Sequence, residues 1–285
     1  MIRATDGHRV PERQVFFSAI LRVPAQQFLS ERLMSTRTVR NRRMAAGHRD
    51  DFLDVRMVPQ PNDVTCGPTS LHAVYDFHGR PVDLTHLITR IGSLPDGGTL
   101  AVFLGIDALA RGFSATLNTY DLKVFDPTWA GLGGEALIEK LDAQRRYKKG
   151  KRFNASSEAY MEFINGGGRV AFDDLTPDLL DHVFDRQLPI LTGLNATYLY
   201  GTRREYTDRH DLAHADDLRG HAVGHFVVLC GRRGDLVRVA DPFYDNPLGE
   251  GHYYDVDVDR LSRAIMLGAI TYDANLLVIS EGAKA

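Results

Sequence analysis

The order of helical and strand patterns along the sequence constrains the fold of this chain more than any single residue does. Apolar residues recur at helical spacing in most segments between Thr65 and Asp185. Later segments have the short apolar or alternating runs of strands, namely LPILTGL, HFVVLCG, DLVRVAD, HYYDVDV and NLLVIS, with one helical segment at Asp259 to Leu267. Helices and strands that are segregated along a chain favour an α+β fold with an antiparallel sheet over a doubly wound parallel sheet.

Composition excludes several classes of protein. The net charge of −3 gives no overall positive field that would attract nucleic acid, so no nucleic-acid partner is expected. No apolar run approaches the roughly 20 residues of a membrane-spanning helix. Two cysteines in 285 residues are too few for a disulfide framework and suit a reducing compartment, which predicts a cytoplasmic location.

The first fifty residues differ from the rest in charge. They contain ten arginines and few acids, and their short apolar patch, VFFSAILRV, itself includes Arg22. We expect residues 1–50 to form a basic, disordered leader and residues 51–285 to form the folded domain. An arm that binds nucleic acid or an anionic surface is the alternative for this leader.

Cys66 stands at the predicted start of a helix, in the stretch PQPNDVTCGPTSLHAV from Pro59 to Val74. A helix N-terminus favours a thiolate because the helix dipole and the free N–H groups stabilise negative charge. A thiol enzyme also needs a base, a group that orients the base, and an oxyanion donor. The alternative for Cys66 is a small buried apolar residue, which is what we expect of Cys230 in FVVLCG.

Three other residues could complete such a site. His225 opens one strand run and Asp241 ends the next, so two antiparallel strands joined by the GRRGD turn could place the carboxylate beside the imidazole. Gln60 precedes Cys66 by six residues and could direct its amide N–H groups at an oxyanion. Each has an ordinary alternative: a strand-edge histidine, an Asx turn ahead of Pro242, and a loop amide.

Together these motifs resemble the papain-like cysteine peptidases. The sequence Gln-x5-Cys-Gly-Pro at a helix start, then Gly-His-Phe-Val-Val, then a strand ending in Ala-Asp-Pro is most similar to the C39 peptidases and their stand-alone C39-like relatives. The resemblance covers residues 54–280, although the middle third matches only in outline. It implies a helical lobe, carrying the cysteine helix, packed on an antiparallel sheet lobe. The exporter and ATPase modules of the best-known members are not in this sequence, so export-coupled leader cleavage is not expected.

The resemblance also implies roles for these residues. Cys66 would be the nucleophile, His225 the base, Asp241 its orienting group and Gln60 the oxyanion donor, with no metal and no organic cofactor. The implied activity is a cysteine peptidase or amidohydrolase that cleaves a peptide or isopeptide bond through a thioester. The substrate could be the product of a peptide ligase. The alternatives are a thiol-dependent peptidyl or aminoacyl transferase and a peptide-binding module without activity.

Two further segments are candidates for substrate contact. Tyr198, Tyr200 and Arg203, in TYLYGTRREY, could line a cleft and meet a carboxylate or a peptide backbone. A surface loop with aromatic anchors is an equal alternative for this segment. Gly97 and Gly98, in SLPDGGTL, could form a rim over the thiol and allow an extended peptide to approach closely.

Overall fold

A seven-stranded sheet organises the part of the chain that the computed structural model describes, residues 52–94, 98–208, 213–271 and 274–282. The basic leader expected at residues 1–50 lies outside these residues. The strands are β1 (Phe113–Thr119), β2 (Arg169–Ala171), β3 (Ile190–Asn195), β4 (Glu205–Thr207), β5 (Ala213–Ala215), β6 (Gly224–Arg233), β7 (Leu236–Ala240), β8 (Tyr253–Asp257) and β9 (Asn275–Glu281). Strands β4 and β5 pair with each other in a separate hairpin.

Helices precede and separate these strands. They are α1 (Cys66–Phe77), α2 (Leu84–Arg90), α3 (Ala101–Ala110), α4 (Gly134–Gln144), α5 (Lys151–Asn165), α6 (Pro177–Phe184), α7 (Ala196–Tyr200) and α8 (Val258–Leu267). The sequence predicts helix starts at Asp83 and Thr176, and the side chains of these two residues do cap the first turns of α2 and α6. None of the helices in the described ranges is long and apolar enough to cross a membrane.

The strand order across the large sheet is β2-β1-β9-β3-β6-β7-β8. Its neighbours are antiparallel except for β1 and β2, which are parallel. The expected α+β fold is therefore confirmed, with one difference from the expected purely antiparallel sheet. The short strand β2 escaped prediction because its three residues are too few to show a period.

Two hydrophobic cores lie against the large sheet, and strand β6 contributes to both. Phe226 and Val228 belong to the core that contains α1, whereas Val227 and Leu229 belong to the core that contains α8. Successive side chains of a strand point to opposite faces, so a strand covered on both faces reads as a continuous apolar run. The run HFVVLCG is thus explained, and the cysteine helix packs on the sheet as expected.

Two other segments differ from the sequence expectation. The sequence pattern predicts a helix over Ser156 to Asn165. Helix α5 begins earlier, at Lys151, because the break between α4 and α5 falls at Gly150, which has a positive φ of 152°. The sequence from Tyr200 to Gly220 is polar and its pattern predicts no strand, yet this stretch contains the hairpin of β4 and β5. The strands of this hairpin carry mostly exposed residues, so they lack the apolar alternation that would predict them from the sequence.

Close contacts fix the first two turns of α1 on the sheet. The Ser70 hydroxyl donates to the backbone oxygen of Phe226 at 3.2 Å inside the core. A Cβ added at Gly67 would lie 2.5 Å from the Thr99 methyl carbon and 3.3 Å from the Phe226 ring. Glycine is therefore required here for close packing, since no real Cβ atom tolerates a 2.5 Å contact.

We predict that Gly67→Ala lowers the free energy of unfolding by about 2 kcal/mol, because overpacking forces neighbouring groups apart. Thr99→Ser removes the clashing methyl but keeps the hydroxyl that donates to Gly92 at 2.8 Å. The double variant should therefore recover most of the loss. Urea unfolding of the wild type, both single variants and the double variant measures this. An unchanged stability in Gly67→Ala, or no recovery in the double variant, would contradict the packing described.

Candidate active site

Cys66 is the first residue of α1, where the helix presents backbone N–H groups. No side chain caps this end: the hydroxyl of Thr65, the N-cap residue, accepts from Asn62 N at 3.3 Å and donates to Asn62 O at 3.0 Å. The first turn carries no acidic residue, and Pro68 has no N–H to offer. The positive end of the helix dipole thus acts on the Cys66 side chain and on the amides of Cys66 and Gly67.

His225 and Asp241 meet at the ends of two neighbouring strands. The register of β6 and β7 pairs Val228 with Ala240. One further step along both strands would set Asp241 opposite Val227, so His225 is the diagonal neighbour of Asp241 on the same face of the sheet. His225 Nε2 lies 2.8 Å from Asp241 Oδ1, and the carboxylate is completely buried. The sequence expectation that the GRRGD turn brings these two residues together agrees with this distance.

The remaining ring nitrogen of His225, Nδ1, is free for the thiol because Nε2 is taken by Asp241. The Cys66 side chain is close enough to the His225 ring to affect the pKa of the ring. Burial disfavours the charged ring, but the carboxylate of Asp241 and the nearby Cys66 outweigh burial and raise the pKa of His225 above its usual value. The geometry therefore favours an imidazolium between a carboxylate and a sulfur atom.

Asp241 accepts hydrogen bonds on both carboxylate oxygens. Tyr200 Oη and Tyr254 Oη donate to Oδ2 at 2.7 and 2.8 Å, and Phe243 N donates to Oδ1 at 2.8 Å, alongside His225. Burial alone would raise the pKa of Asp241, but the charge and hydrogen bond of His225, followed by the two tyrosine hydroxyls, lower it below its usual value. The carboxylate is therefore held in its ionised form.

The backbone of Gln60 is hydrogen-bonded to the turn that follows β7, next to Asp241. Its N–H donates to Pro242 O at 3.0 Å, while Asp241 N donates to His252 O at 2.7 Å. The Gln60 side chain donates through Nε2 to Asn62 O at 3.0 Å. Its Oε1 is buried and has no hydrogen-bond partner among the described residues. Because an amide nitrogen carries two hydrogens, Gln60 keeps one donor for another molecule.

The candidate substrate residues are dispersed. Tyr198 is half-buried beneath Arg260, whose guanidinium carbon lies 5.5 Å from its ring centroid, and Arg203 is exposed in the loop after α7. Gly98 is exposed with a positive φ of 76°, and Gly97 lies outside the described residues. The rim segment does reach the cysteine helix, but through the contact of Thr99 with Gly67 described above.

Cys230 is 1% exposed within the core, which confirms the expectation for it. Burial raises the pKa of its thiol to about 12, so it is unreactive near neutral pH.

Several residues that support the site escaped the sequence analysis. Tyr254 occupies an inward position in the alternating strand β8, and Ser70 occupies a fully buried position in α1. A polar group at an inward position of a strand or helix needs a hydrogen-bond partner, and that requirement is the signal that could have found both. The partner itself cannot be read from the sequence, because it lies on a distant segment.

Comparison with known proteins finds similarity of fold. A structure from Bacillus anthracis, provisionally assigned as a C39-like peptidase, matches with a TM-score of 0.41 and 14% identity over 82% of this chain and 100% of that one. A double glycine motif protease from an AMS/PCAT transporter, solved in complex with its leader peptide, matches with a TM-score of 0.39 and 15% identity over 82% of this chain and 96% of that one.

No family model and no curated protein matches this chain. At 14 and 15% identity the two solved structures leave the activity to be inferred from the site itself.

The charged pair predicts how stability depends on pH. Because the pKa of Asp241 is lowered on folding, its contribution is present above the unfolded value of about 3.9 and is lost as the pH falls through the folded value. Because the pKa of His225 is raised, its contribution is present below the unfolded value of about 6.5 and is lost as the pH rises through the folded value.

We therefore predict that Asp241→Asn costs about 3 kcal/mol of unfolding free energy between roughly pH 4 and pH 6.5, and less on either side. Urea unfolding across this range measures it. Asp185→Asn, at an exposed carboxylate, is the matched control and should cost little at any pH. A cost for Asp241→Asn that does not vary with pH would contradict the ion pair.

Proposed function

We propose that this chain is a cysteine hydrolase that cleaves a peptide or isopeptide bond through a thioester on Cys66. One observation carries the proposal: the side chain at the uncapped start of α1 is near a buried histidine, and one ring nitrogen of this histidine is held by a buried carboxylate. A thiol, a base and an orienting group in this order are the groups that acyl transfer requires.

In the proposed first step the Cys66 thiolate attacks the carbonyl carbon of the substrate amide. The new C–S bond moves an electron pair onto the carbonyl oxygen, and the amide of Cys66 and the second amide hydrogen of Gln60 donate to this oxyanion. The C–N bond then breaks as the His225 imidazolium gives its proton to the leaving amine. Asp241 remains ionised throughout and keeps the ring oriented.

In the second step water attacks the thioester while His225 accepts its proton. The C–S bond breaks, the acid product leaves and the thiolate is restored. The transferase alternative has the same thioester and differs only in the acceptor, which would be an amine instead of water. Analysis of products formed with and without an added amine separates the two. A peptide-binding module would have no need of His225 and Asp241 in hydrogen-bond contact.

The proposal predicts that iodoacetamide alkylates Cys66 in a manner that depends on His225. Near pH 6, His225→Ala should slow the labelling at least about tenfold, because the imidazolium that stabilises the thiolate is lost. His182→Ala, which removes an exposed histidine on α6, is the matched control and should label like the wild type. Cys66→Ala reports the background from Cys230, which should be negligible because that thiol is buried. Mass spectrometry identifies the labelled residue.

Equal labelling rates in His225→Ala and His182→Ala would contradict the proposed role of His225. Labelling that rises only at alkaline pH in the wild type would argue against a nucleophilic thiol and favour the binding module.

A further inference from the structure

The Asp241 oxygen that faces away from His225 is held by two tyrosines from different parts of the fold. Tyr200 ends α7 and Tyr254 lies in β8, and their hydroxyls donate to Oδ2 at 2.7 and 2.8 Å. Oδ1 accepts from His225 at 2.8 Å and from Phe243 N at the same distance. Each carboxylate oxygen thus has two donors.

This arrangement constrains both the charge and the rotation of the carboxyl group. An ionised carboxylate is only an acceptor, and a buried one without donors takes up a proton. Rotating the group about its Cβ–Cγ bond would break the contacts of both oxygens at once. The tyrosine hydroxyls therefore oppose the two changes that would remove a charged acceptor from His225.

We propose that Tyr200 and Tyr254 are positioning residues that keep Asp241 ionised with Oδ1 turned toward His225 Nε2. This role extends the function proposed above and rests on it, because the two tyrosines affect catalysis only if His225 acts on Cys66. It also gives Tyr200 a task other than the substrate contact that the sequence suggested.

The tyrosines themselves are suited to this task. Burial and the neighbouring carboxylate raise the pKa of both hydroxyls, so both remain protonated donors over the whole working range of pH. The Tyr200 ring also lies between His225 and Phe243, with centroid distances of 6.2 and 6.3 Å. These ring contacts would survive Tyr200→Phe, which removes the hydroxyl alone.

The first test is proton NMR of the ring N–H that His225 donates to Asp241, followed on acidification in a Cys66→Ala background. In Tyr200→Phe and in Tyr254→Phe the signal should be lost at a pH about one unit higher than in the Cys66→Ala parent. The reason is that the loss of one hydrogen bond to a charged group costs about the free energy of one pKa unit. The double variant should shift further, but the single variants decide the test if the double variant does not fold.

Tyr75→Phe is the matched control. The Tyr75 hydroxyl also donates from a buried position to a buried carboxylate, Asp107 Oδ1 at 2.8 Å, but this hydrogen bond joins the last part of α1 to α3. This variant loses the same kind of hydrogen bond and should leave the His225 signal at the pH of the parent. A general loss of stability would move all three variants alike, so it is distinguishable from positioning.

The second test is alkylation of Cys66 in the otherwise unmodified chain near pH 5. Both site variants should label about tenfold more slowly than the wild type and Tyr75→Phe, which is the equivalent of one pH unit. The proposal is overturned if the His225 signal in the site variants follows Tyr75→Phe, or if the signal shifts while labelling does not. If wild-type labelling proves independent of His225, the proposed function fails instead, and the NMR result still reports how Asp241 is held.

Discussion

The hydrogen bond between His225 and Asp241 is the contact on which the rest of the site depends. It joins the ends of two adjacent strands, and its carboxylate is completely buried. A buried carboxylate is tolerated only where charge and hydrogen bonds replace water. Here the replacement comes from an imidazole, two tyrosine hydroxyls and a backbone amide, contributed by β6, α7, β8 and the turn after β7. Four separate parts of the fold therefore meet at one ionised group.

The same turn also reaches the loop that precedes the cysteine helix. Pro242, next to Asp241, accepts the backbone N–H of Gln60 at 3.0 Å. On the opposite side of the site, Ser70 ties α1 to the backbone of Phe226, the neighbour of His225. The proposed nucleophile, base and oxyanion donor are thus connected by short backbone paths, which limits how far they can move independently. Such preorganisation is what stabilisation of a developing oxyanion requires.

Burial explains why the site needs these connections. Cys66 is only 8% exposed and His225 only 7%, so water can contribute little to stabilising a charge on either side chain. In the proposed thiolate and imidazolium pair the two charges would therefore stabilise each other, with help from the helix N-terminus on one side and Asp241 on the other. Removal of any one group leaves the others buried without compensation, so changes in stability and in reactivity should accompany each other.

Much of this arrangement could be predicted from the sequence, and the limits have physical causes. The apolar run HFVVLCG and the alternation in HYYDVDV predict strands because burial on one or both faces imposes those patterns. Cys66, His225 and Asp241 could be singled out because the chemistry requires particular residue types at the ends of elements. The position of β1 beside β9 and the convergence of Tyr200 and Tyr254 on one oxygen could not be predicted. Both depend on contacts between distant segments, which no local period encodes.

The most direct measurement is the ultraviolet absorbance of the thiolate, taken as wild type minus Cys66→Ser across the pH range, with and without His225→Ala. The account predicts a thiolate signal from Cys66 at about pH 6 that disappears in His225→Ala, since the imidazolium that stabilises it is gone. A signal that emerges only at alkaline pH, and does so equally in both backgrounds, would contradict the thiolate and imidazolium pair.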